Sequence, residues 1–398
     1  MDRVVTVGSY NIMSGIFSKQ WLISLLLIPY FKTSYFDFVP GLSMICNVML
    51  AAECIFFVGI NILERRFTVF SKIILILEVW IYFIAPLISK AERPSFFYLM
   101  SALGILSFFE LGMSRNEYNV ITATGRLFTI MILLNILTHT VLPEITTSDG
   151  SVLYLFGLRT GFSLFIIPGI LFNLLRDKMN QKFSIQTLIT FVGGTFSLFE
   201  QMVVTGILEL LIIIILLILL KNKKISEKIN FALVAVLLLL LDISMTVFGA
   251  QNNIMNSIAI FFNKDLSLSG RTTIWEKVIE KLSHSPIAGF GADSNVSIGL
   301  TERPAHNQWL HVAMEGGYVA MAILILAVII SFIYLYKKKK SEWYTIVSVC
   351  TIAILVGSIT EIQTYVPFFY VVLSLPFIIS EKLKTDSKFV NNIARGSK

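Results

Sequence analysis

The sequence predicts an all-α polytopic integral membrane protein with about twelve transmembrane helices and one large external loop. Three observations predict this fold class. First, 56% of the 398 residues are apolar and only 14% are charged, and the mean hydropathy is +0.78. Second, apolar runs of about twenty residues, the length that crosses a bilayer, recur along most of the chain. Third, Lys and Arg collect in alternate connections between these runs.

The predicted spans divide the chain into four parts. The spans cover residues 17–31, 38–62, 69–89, 95–113, 119–142, 157–175, 184–199, 201–220, 229–249, 310–336, 343–363 and 366–381. Over 184–220, one interrupted span with a re-entrant piece is an alternative. The parts are the first nine helices in 1–249, an external loop in 250–309, three further helices in 310–381 and a polar cytoplasmic tail in 382–398.

Basic residues predict the orientation. They concentrate at Arg65, Arg66, Arg115, Arg176, Lys178, Lys182, Lys221, Lys223, Lys224, Lys228, Lys337–Lys340, Lys382, Lys384 and Lys388. With twelve spans all of these lie on one side, which is the cytoplasm. Both termini are then cytoplasmic, and the long loop faces outwards. The segment Met1 to Ser18 lacks a small-residue cleavage site after an apolar core, so the first span is expected to act as a signal anchor.

The external loop is the only long polar stretch between apolar spans, and it contains an amphipathic helix. Thr273 and Glu276 form a capping-box pattern at a helix start. Apolar residues then recur at helical spacing, with charged residues on the opposite face. The apolar positions are Ile274, Trp275, Val278, Ile279 and Leu282. Such a helix is expected on the bilayer surface or over the mouth of a cavity.

Two side chains of this loop, Arg271 and His306, are candidates for anion binding and proton transfer, and Asn307 is a candidate for a supporting role. Arg271 begins the amphipathic helix, where free backbone N–H groups favour an anion, and an arginine beside them suits phosphate. A solvated loop arginine is the alternative. His306 and Asn307 lie just before span ten, at the expected membrane surface. There, an interfacial histidine that only forms hydrogen bonds is the alternative.

Supporting roles are expected for four further residues of the same region. Gly289 and Gly291 allow the backbone to come close to a ligand, with a plain turn as the alternative. Glu315, at the start of span ten, is expected to pair with an arginine or to assist His306. Trp275 is a candidate for stacking on a sugar, although interfacial anchoring explains it equally well.

The sequence predicts no metal site and no cofactor. His306 and His311 are five residues apart, which is not the i, i+4 spacing of a helical zinc site. The cysteines Cys46, Cys54 and Cys350 all fall in apolar runs, so no disulfide framework is expected. The net charge of +7 follows the membrane topology and predicts no nucleic-acid partner.

An ordered set of short motifs runs through the loop. The motifs are Ser269-Gly270-Arg271, Trp275, Ser285-Pro286-Ile287-Ala288-Gly289-Phe290-Gly291, His306-Asn307-Gln308-Trp309-Leu310 and Gly317. Together they resemble the O-antigen ligase and polymerase superfamily of bacterial surface-polysaccharide enzymes. Members of that family carry such motifs in one large external loop late in the chain. The motif-bearing part covers about 50 residues here.

The resemblance implies a membrane-embedded glycosyltransferase that inverts the anomeric centre without a metal. Its donor is a glycan on a polyprenyl diphosphate, and the expected partners are undecaprenyl-diphosphate-linked donor and acceptor, membrane lipids and a chain-length regulator protein. His306 matches the family histidine that acts as base on the acceptor hydroxyl. Arg271 matches the loop arginine that contacts the diphosphate. The resemblance also implies the bacterial inner membrane, with the active site on its outer face.

One departure from the family concerns a second arginine on a middle span. The corresponding region, Thr195 to Gly206, contains no arginine. Arg159, at the outer end of span six, is the candidate to supply that charge. Ligases of the family tend to have Gly, Thr or Tyr three residues after the motif glycine, where Ala320 stands here. This favours a polymerase of lipid-linked repeat units over a ligase.

Two alternatives to the polymerase remain open from the sequence. A ligase would transfer the glycan to another acceptor such as a lipid A core, and the motifs do not separate it from a polymerase. A flippase or transporter also fits twelve spans with both termini inside. Acids at membrane depth usually have a functional role or a partner of opposite charge, so their presence supports this last alternative. They are expected to pair with Arg126 or His139 or to line a cavity. They are Glu53, Glu78, Glu209, Asp242 and Glu361.

Overall fold

The computed structural model describes residues 13–39, 41–90, 96–141, 145–147, 150–222, 228–247, 271–298 and 301–381. The predicted tail 382–398 and the first part of the external loop, residues 250–270, lie outside the described residues. The described chain folds as a helical bundle with two small antiparallel sheets.

The helices follow the predicted spans in order. They are α1 (Gln20–Leu27), α2 (Leu42–Glu64), α3 (Val69–Ser89), α4 (Phe97–Thr140), α5 (Phe162–Asn180), α6 (Ile185–Glu200), α7 (Val204–Leu219), α8 (Phe231–Val247), α9 (Arg271–Leu282), α10 (Gln308–Lys337), α11 (Tyr344–Gly357) and α12 (Phe368–Ile378). The strands are β1 (Ile145–Thr146), β2 (Val152–Tyr154), β3 (Gly157–Leu158), β4 (Val296–Ile298) and β5 (Thr301–Arg303). Among the described residues, α2, α3, α4, α10 and residues 159–180 are long and apolar enough to cross a bilayer. The all-α membrane class is therefore confirmed, and the number twelve stays a prediction.

Helix α4 is a pair of helices joined at a sharp break. Asn116 in its middle has φ −153° and ψ 80°, which is not helical. Near the start of α4, Tyr98 lines the same cavity as Phe156. Near its end, Asn135 Oδ1 accepts a hydrogen bond of 2.9 Å from the Phe156 backbone. Both ends of α4 lie beside one cavity, so the chain reverses direction at Asn116, as the two predicted spans 95–113 and 119–142 require.

The predicted cytoplasmic connections come together at one face. Arg115, beside the break in α4, lies 2.6 Å from Glu64 at the end of α2. Glu117, on the other side of the break, accepts a hydrogen bond of 2.9 Å from the backbone of Ser380, which follows α12. Three segments that the basic residues assign to one side of the membrane are therefore neighbours. This arrangement agrees with the predicted orientation.

The centre of the bundle is an aromatic core between α1, α4, α5 and α12. Phe128 of α4 lies 4.8 Å from Phe31 and 4.6 Å from Phe368, measured between ring centres. Phe165 of α5 stacks on Phe31 at 5.6 Å. These buried rings fix the relative positions of the helices whose outer ends surround the candidate site.

The predicted pairing of the buried acids with Arg126 or His139 is wrong. Arg126 donates a hydrogen bond of 2.6 Å to Gln20. His139 lies 2.6 Å from Glu200, at the end of α6. Both side chains find partners near the ends of helices, where desolvation costs less than at membrane depth. Two of the acids instead reach the candidate site described below.

The amphipathic helix of the external loop is confirmed as α9. It begins at Arg271, two residues before the predicted cap Thr273. Its charged face is exposed, and its apolar face is buried against Val296 of β4 and against Leu310 and Ala313 of α10. The protein itself therefore covers this face, because the loop folds back onto the start of α10.

Candidate functional site

A cavity of about 360 Å³ opens where four connections between helices meet. The connections are the segments 32–37, 157–161, 304–306 and 361–366. All four belong to connections that the predicted topology places on the outer side of the membrane. The lining includes Lys32, Thr33, Ser34, Asp37, Phe97, Tyr98, Thr160, Phe165, His306, Glu361 and Tyr365. Charge, hydroxyl groups and aromatic faces therefore share one cavity at one end of the bundle.

His306 projects from a strained turn directly before α10. Its backbone has φ +48°, in the left-handed region that few non-glycine residues adopt. Such strain is found most often at functional sites. Burial and the positive charges of Arg271 and Arg303 lower the pKa of His306 from 6.5 to about 4. The imidazole is therefore neutral at physiological pH, which is the form that accepts a proton.

Arg271 is connected to the same cavity by a close ion pair with one of its lining residues. Its guanidinium lies 2.5 Å from the Glu361 carboxylate, and the two side chains are 16% and 7% exposed. Glu361 lines the cavity together with His306. The structure therefore brings the two principal residues predicted from the sequence, Arg271 and His306, to one site.

Two further cations border the cavity. Lys32 lies within its wall, 4.7 Å from the centre of the Phe97 ring and 3.4 Å from Asp37. Arg159 is exposed, and the residues on both sides of it, Leu158 and Thr160, line the cavity. Arg159 therefore lies next to the cavity lining, and its role as a second anion contact stays a prediction.

Trp275 and Asn307 hold the turn that carries His306. The indole N–H of Trp275 donates a hydrogen bond of 3.0 Å to the carbonyl of Ala305. Asn307 caps α10 by accepting hydrogen bonds from the Trp309 and Leu310 backbones, and its amide nitrogen lies 2.8 Å from Asp242. Asn307 is fully buried. These two residues therefore position His306 rather than face the cavity.

Gly289 and Gly291 do not line the cavity, and they dock the loop onto a break in α10. The backbone of Gly291 donates a hydrogen bond of 2.9 Å to the Glu315 carbonyl. A Cβ on Gly289, which has φ +63°, would lie 2.5 Å from the Met314 carbonyl oxygen. At the break itself, Gly317 has φ +72°. The glycines are needed for close packing of two backbones, so the expected approach to a ligand is not what the geometry indicates.

Glu315 was expected to pair with an arginine or to assist His306, and this prediction is wrong. Its carboxylate accepts a hydrogen bond of 3.0 Å from the Asp293 backbone and lies 3.5 Å from His311. It faces a second, small cavity of about 20 Å³, and the Tyr98 and Tyr365 side chains line both this cavity and the one with His306. Glu315 therefore pairs with a histidine inside α10 instead of with an arginine or His306.

Two residues of the site, Lys32 and Glu361, were not predicted from the sequence as site residues. Lys32 stands in a short connection near the N terminus, and no motif marks it. Glu361 was noted only as one of several buried acids. Its position before span twelve, in a polar run Ser358-Ile-Thr-Glu-Ile-Gln-Thr364 between apolar helices, was the available signal.

The chemistry available at this site is anion binding next to a neutral base. Guanidinium and ammonium groups in a partly desolvated pocket bind phosphate oxygens strongly. A neutral imidazole beside them can take a proton from a hydroxyl group. Aromatic and hydroxyl side chains of the same cavity suit the apolar faces and hydroxyl groups of sugars.

These features define a helical membrane protein with an anion- and sugar-compatible site at one end of the bundle. Residues 189–325 match a family model described as O-antigen ligase. The match confirms the resemblance to the O-antigen ligase and polymerase superfamily, whose members carry out glycosyl transfer with lipid-linked polysaccharide substrates. No curated protein and no solved structure matched the chain. The matched third of the chain includes Arg271 and His306, whereas Lys32, Arg159 and Glu361 lie outside it.

Proposed function

We propose that this protein is a polymerase that joins polyprenyl-diphosphate-linked oligosaccharide repeat units into O-antigen or capsular polysaccharide. The observation that carries the proposal is that His306 and Glu361 line one cavity at the ends of the bundle helices and that Arg271 forms an ion pair with Glu361. A transporter does not need a base and a fixed guanidinium at a single outward site. The family match supports the same class of reaction.

The reaction that fits this site is one inverting displacement. The acceptor sugar hydroxyl attacks the anomeric carbon of the donor, and a new C–O bond forms as the bond from that carbon to the diphosphate oxygen breaks. The electron pair of the broken bond stays on the diphosphate. His306 takes the proton of the attacking hydroxyl, and the guanidinium of Arg271 stabilises the negative charge that grows on the diphosphate.

The remaining cavity walls fit the other parts of the substrates. Arg159, at the rim, is proposed as a second contact of the donor diphosphate in place of the missing mid-chain arginine. Thr33, Ser34 and Phe97 line the wall away from the external loop. We assign this wall to sugar, because hydroxyl groups and an aromatic face suit a carbohydrate.

A ligase is the second candidate, and the description of the matched family model favours it. It uses the same donor and the same displacement, but it transfers the glycan to a different acceptor, such as a lipid A core. The two functions therefore differ in the acceptor and not in the roles of His306 and Arg271.

The experiment is an assay of the purified protein in lipid nanodiscs with one lipid-linked repeat unit. A ladder of products formed without any other acceptor supports the polymerase, and product formed only after addition of a lipid A core supports the ligase. The variant His306→Ala is expected to abolish product. His284→Ala, at an exposed histidine of the same loop, is the matched control and is expected to retain activity. Unchanged product formation by His306→Ala would remove His306 as the base.

A further inference from the structure

The guanidinium proposed to bind the diphosphate is already bound to a carboxylate. Arg271 and Glu361 are 2.5 Å apart, and Glu361 is 7% exposed in its side chain. Glu361 also faces the cavity next to His306. A diphosphate that binds Arg271 from this cavity therefore has to displace or share the contact that Glu361 makes with it.

Glu361 is held in place by contacts other than its ion pair. Its backbone N–H donates a hydrogen bond of 2.9 Å to the Gly357 carbonyl. Next to it, the hydroxyl groups of Thr360 and Thr205 are 2.8 Å apart, and the Ile359 carbonyl accepts a hydrogen bond of 3.0 Å from Asn307. These contacts hold the backbone of the segment that carries Glu361, so its carboxyl group stays beside the site when the guanidinium turns to a ligand.

The charge of the ligand changes during the proposed reaction. The donor is a diphosphate diester with two ionised oxygens. The leaving polyprenyl diphosphate has a terminal phosphate, whose second ionisation has a pKa of about 6, so it carries close to one additional negative charge at neutral pH. The product is therefore attracted more strongly than the donor by Arg271 and its neighbouring cations, which would slow its release.

We propose that Glu361 is a release residue, which competes with the polyprenyl diphosphate product for Arg271 and so keeps the product from remaining in the site. The competing anion belongs to the same molecule, so its effective concentration at Arg271 is high at all times. This inference rests on the proposed function, because it assumes that Arg271 binds the donor first, then the product, and then Glu361 again.

The test measures binding of undecaprenyl diphosphate to the protein in nanodiscs, with undecaprenol as the neutral probe. Glu361→Gln keeps the shape of the side chain and removes its charge. We expect the Kd for the diphosphate to fall by roughly tenfold or more, as for the gain of one uncontested hydrogen bond to a charged group, with undecaprenol binding unchanged. Glu302→Gln, at an exposed acid in β5, is the matched control and is expected to bind like the wild type.

A second variant covers the case in which Glu361→Gln does not accumulate. Glu361→Asp retains the charge but withdraws it from Arg271 by one methylene, so its affinity for the diphosphate is expected between those of the wild type and Glu361→Gln. An unchanged or weaker affinity in these variants would overturn the release role and leave Glu361 as a support for Arg271. A wild type that binds undecaprenol as tightly as the diphosphate would instead contradict the proposed function itself.

A comparison of single and repeated turnover distinguishes a role of Glu361 in product release from a role in the chemical step. With Glu361→Gln, repeated turnover is expected to slow more than a single turnover does, and inhibition by added undecaprenyl diphosphate is expected to strengthen. Equal loss in both regimes would place Glu361 in the chemical step and contradict the proposal.

Discussion

The indole N–H of Trp275 donates a hydrogen bond of 3.0 Å to the carbonyl of Ala305, the residue before His306. Helix α9 is therefore connected directly to the turn that presents the proposed base. The contact is buried, so water does not replace the hydrogen bond when it is lost. Its removal should affect the position of His306 as well as stability.

Trp275→Phe is predicted to lower the rate of polymer formation several-fold while retaining the fold. The ring still fills most of the buried space, and the Ala305 carbonyl that loses its buried hydrogen bond costs about 1–3 kcal/mol of stability. Ladder formation and the thermal midpoint in detergent measure the two effects. Trp21→Phe, at an indole of α1 that is 64% exposed, is the control and should change neither. Full activity of Trp275→Phe would show that this contact does not position His306.

The pH dependence of the reaction should report the environment of His306. Because burial, Arg271 and Arg303 lower the pKa of His306 to about 4, the base stays neutral down to that pH. We predict that kcat/KM is constant near neutral pH and falls only as the pH drops through about 4. An acid limb near the ordinary histidine value of 6.5 would contradict this environment.

Removal of a positive charge near His306 should move the acid limb of the pH profile of kcat/KM to higher pH. The charge of Arg303 lowers the pKa of His306, so Arg303→Gln raises it and shifts the acid limb of kcat/KM to higher pH. Lys277→Gln removes a charge from the exposed face of α9 and is expected to leave the limb in place. A profile that is identical for the wild type and Arg303→Gln would separate the limb from His306.

Some residues of this site were predicted from the sequence and others were missed, and there is a physical reason for the difference. Arg271 and His306 belong to one loop whose ordered motifs resemble those of a known family, so their convergence was expected from that resemblance. Glu361 lies 90 residues from Arg271, beyond two helices, and its pairing depends on how those helices pack. Lys32 reaches the cavity only because α1 ends beside the connection before α5. Contacts of this kind have no periodic signature in a sequence.

The fold, like the site, has features that the sequence predicted and features that it did not. Hydropathy and charge predicted the reversal at Asn116, because a basic connection interrupts two apolar runs there. The role of Gly289 and Gly291 was not predictable in the same way. Their closest neighbours are backbone atoms of α10, and nothing in the sequence places the loop against the break at Gly317.

Gly317 should tolerate no side chain. A Cβ there would lie 2.0 Å from the Ile287 carbonyl oxygen, and φ of +72° is strained for any other residue. Gly317→Ala is predicted to reduce accumulation of folded protein severely. Gly59→Ala, in α2 where no atom lies within 4 Å of the added carbon, should be neutral or stabilising by up to about 1 kcal/mol. Detergent-extracted yield and thermal midpoint compare the two, and wild-type stability of Gly317→Ala would refute the close docking of the loop.

Arg159 provides the test of how this chain replaces the missing mid-chain arginine. It is exposed at the cavity rim between two lining residues, so Arg159→Ala should leave stability unchanged within about 0.5 kcal/mol. If it contacts the donor diphosphate, its loss should raise KM for the lipid-linked donor by roughly tenfold, as for a hydrogen bond to a charged group. Lys90→Ala, at another exposed cation beyond the end of α3, is the control. Polymer synthesis at the wild-type rate by Arg159→Ala, at donor concentrations below KM, would exclude this arginine and leave Lys32 as the remaining cation of the cavity wall to test.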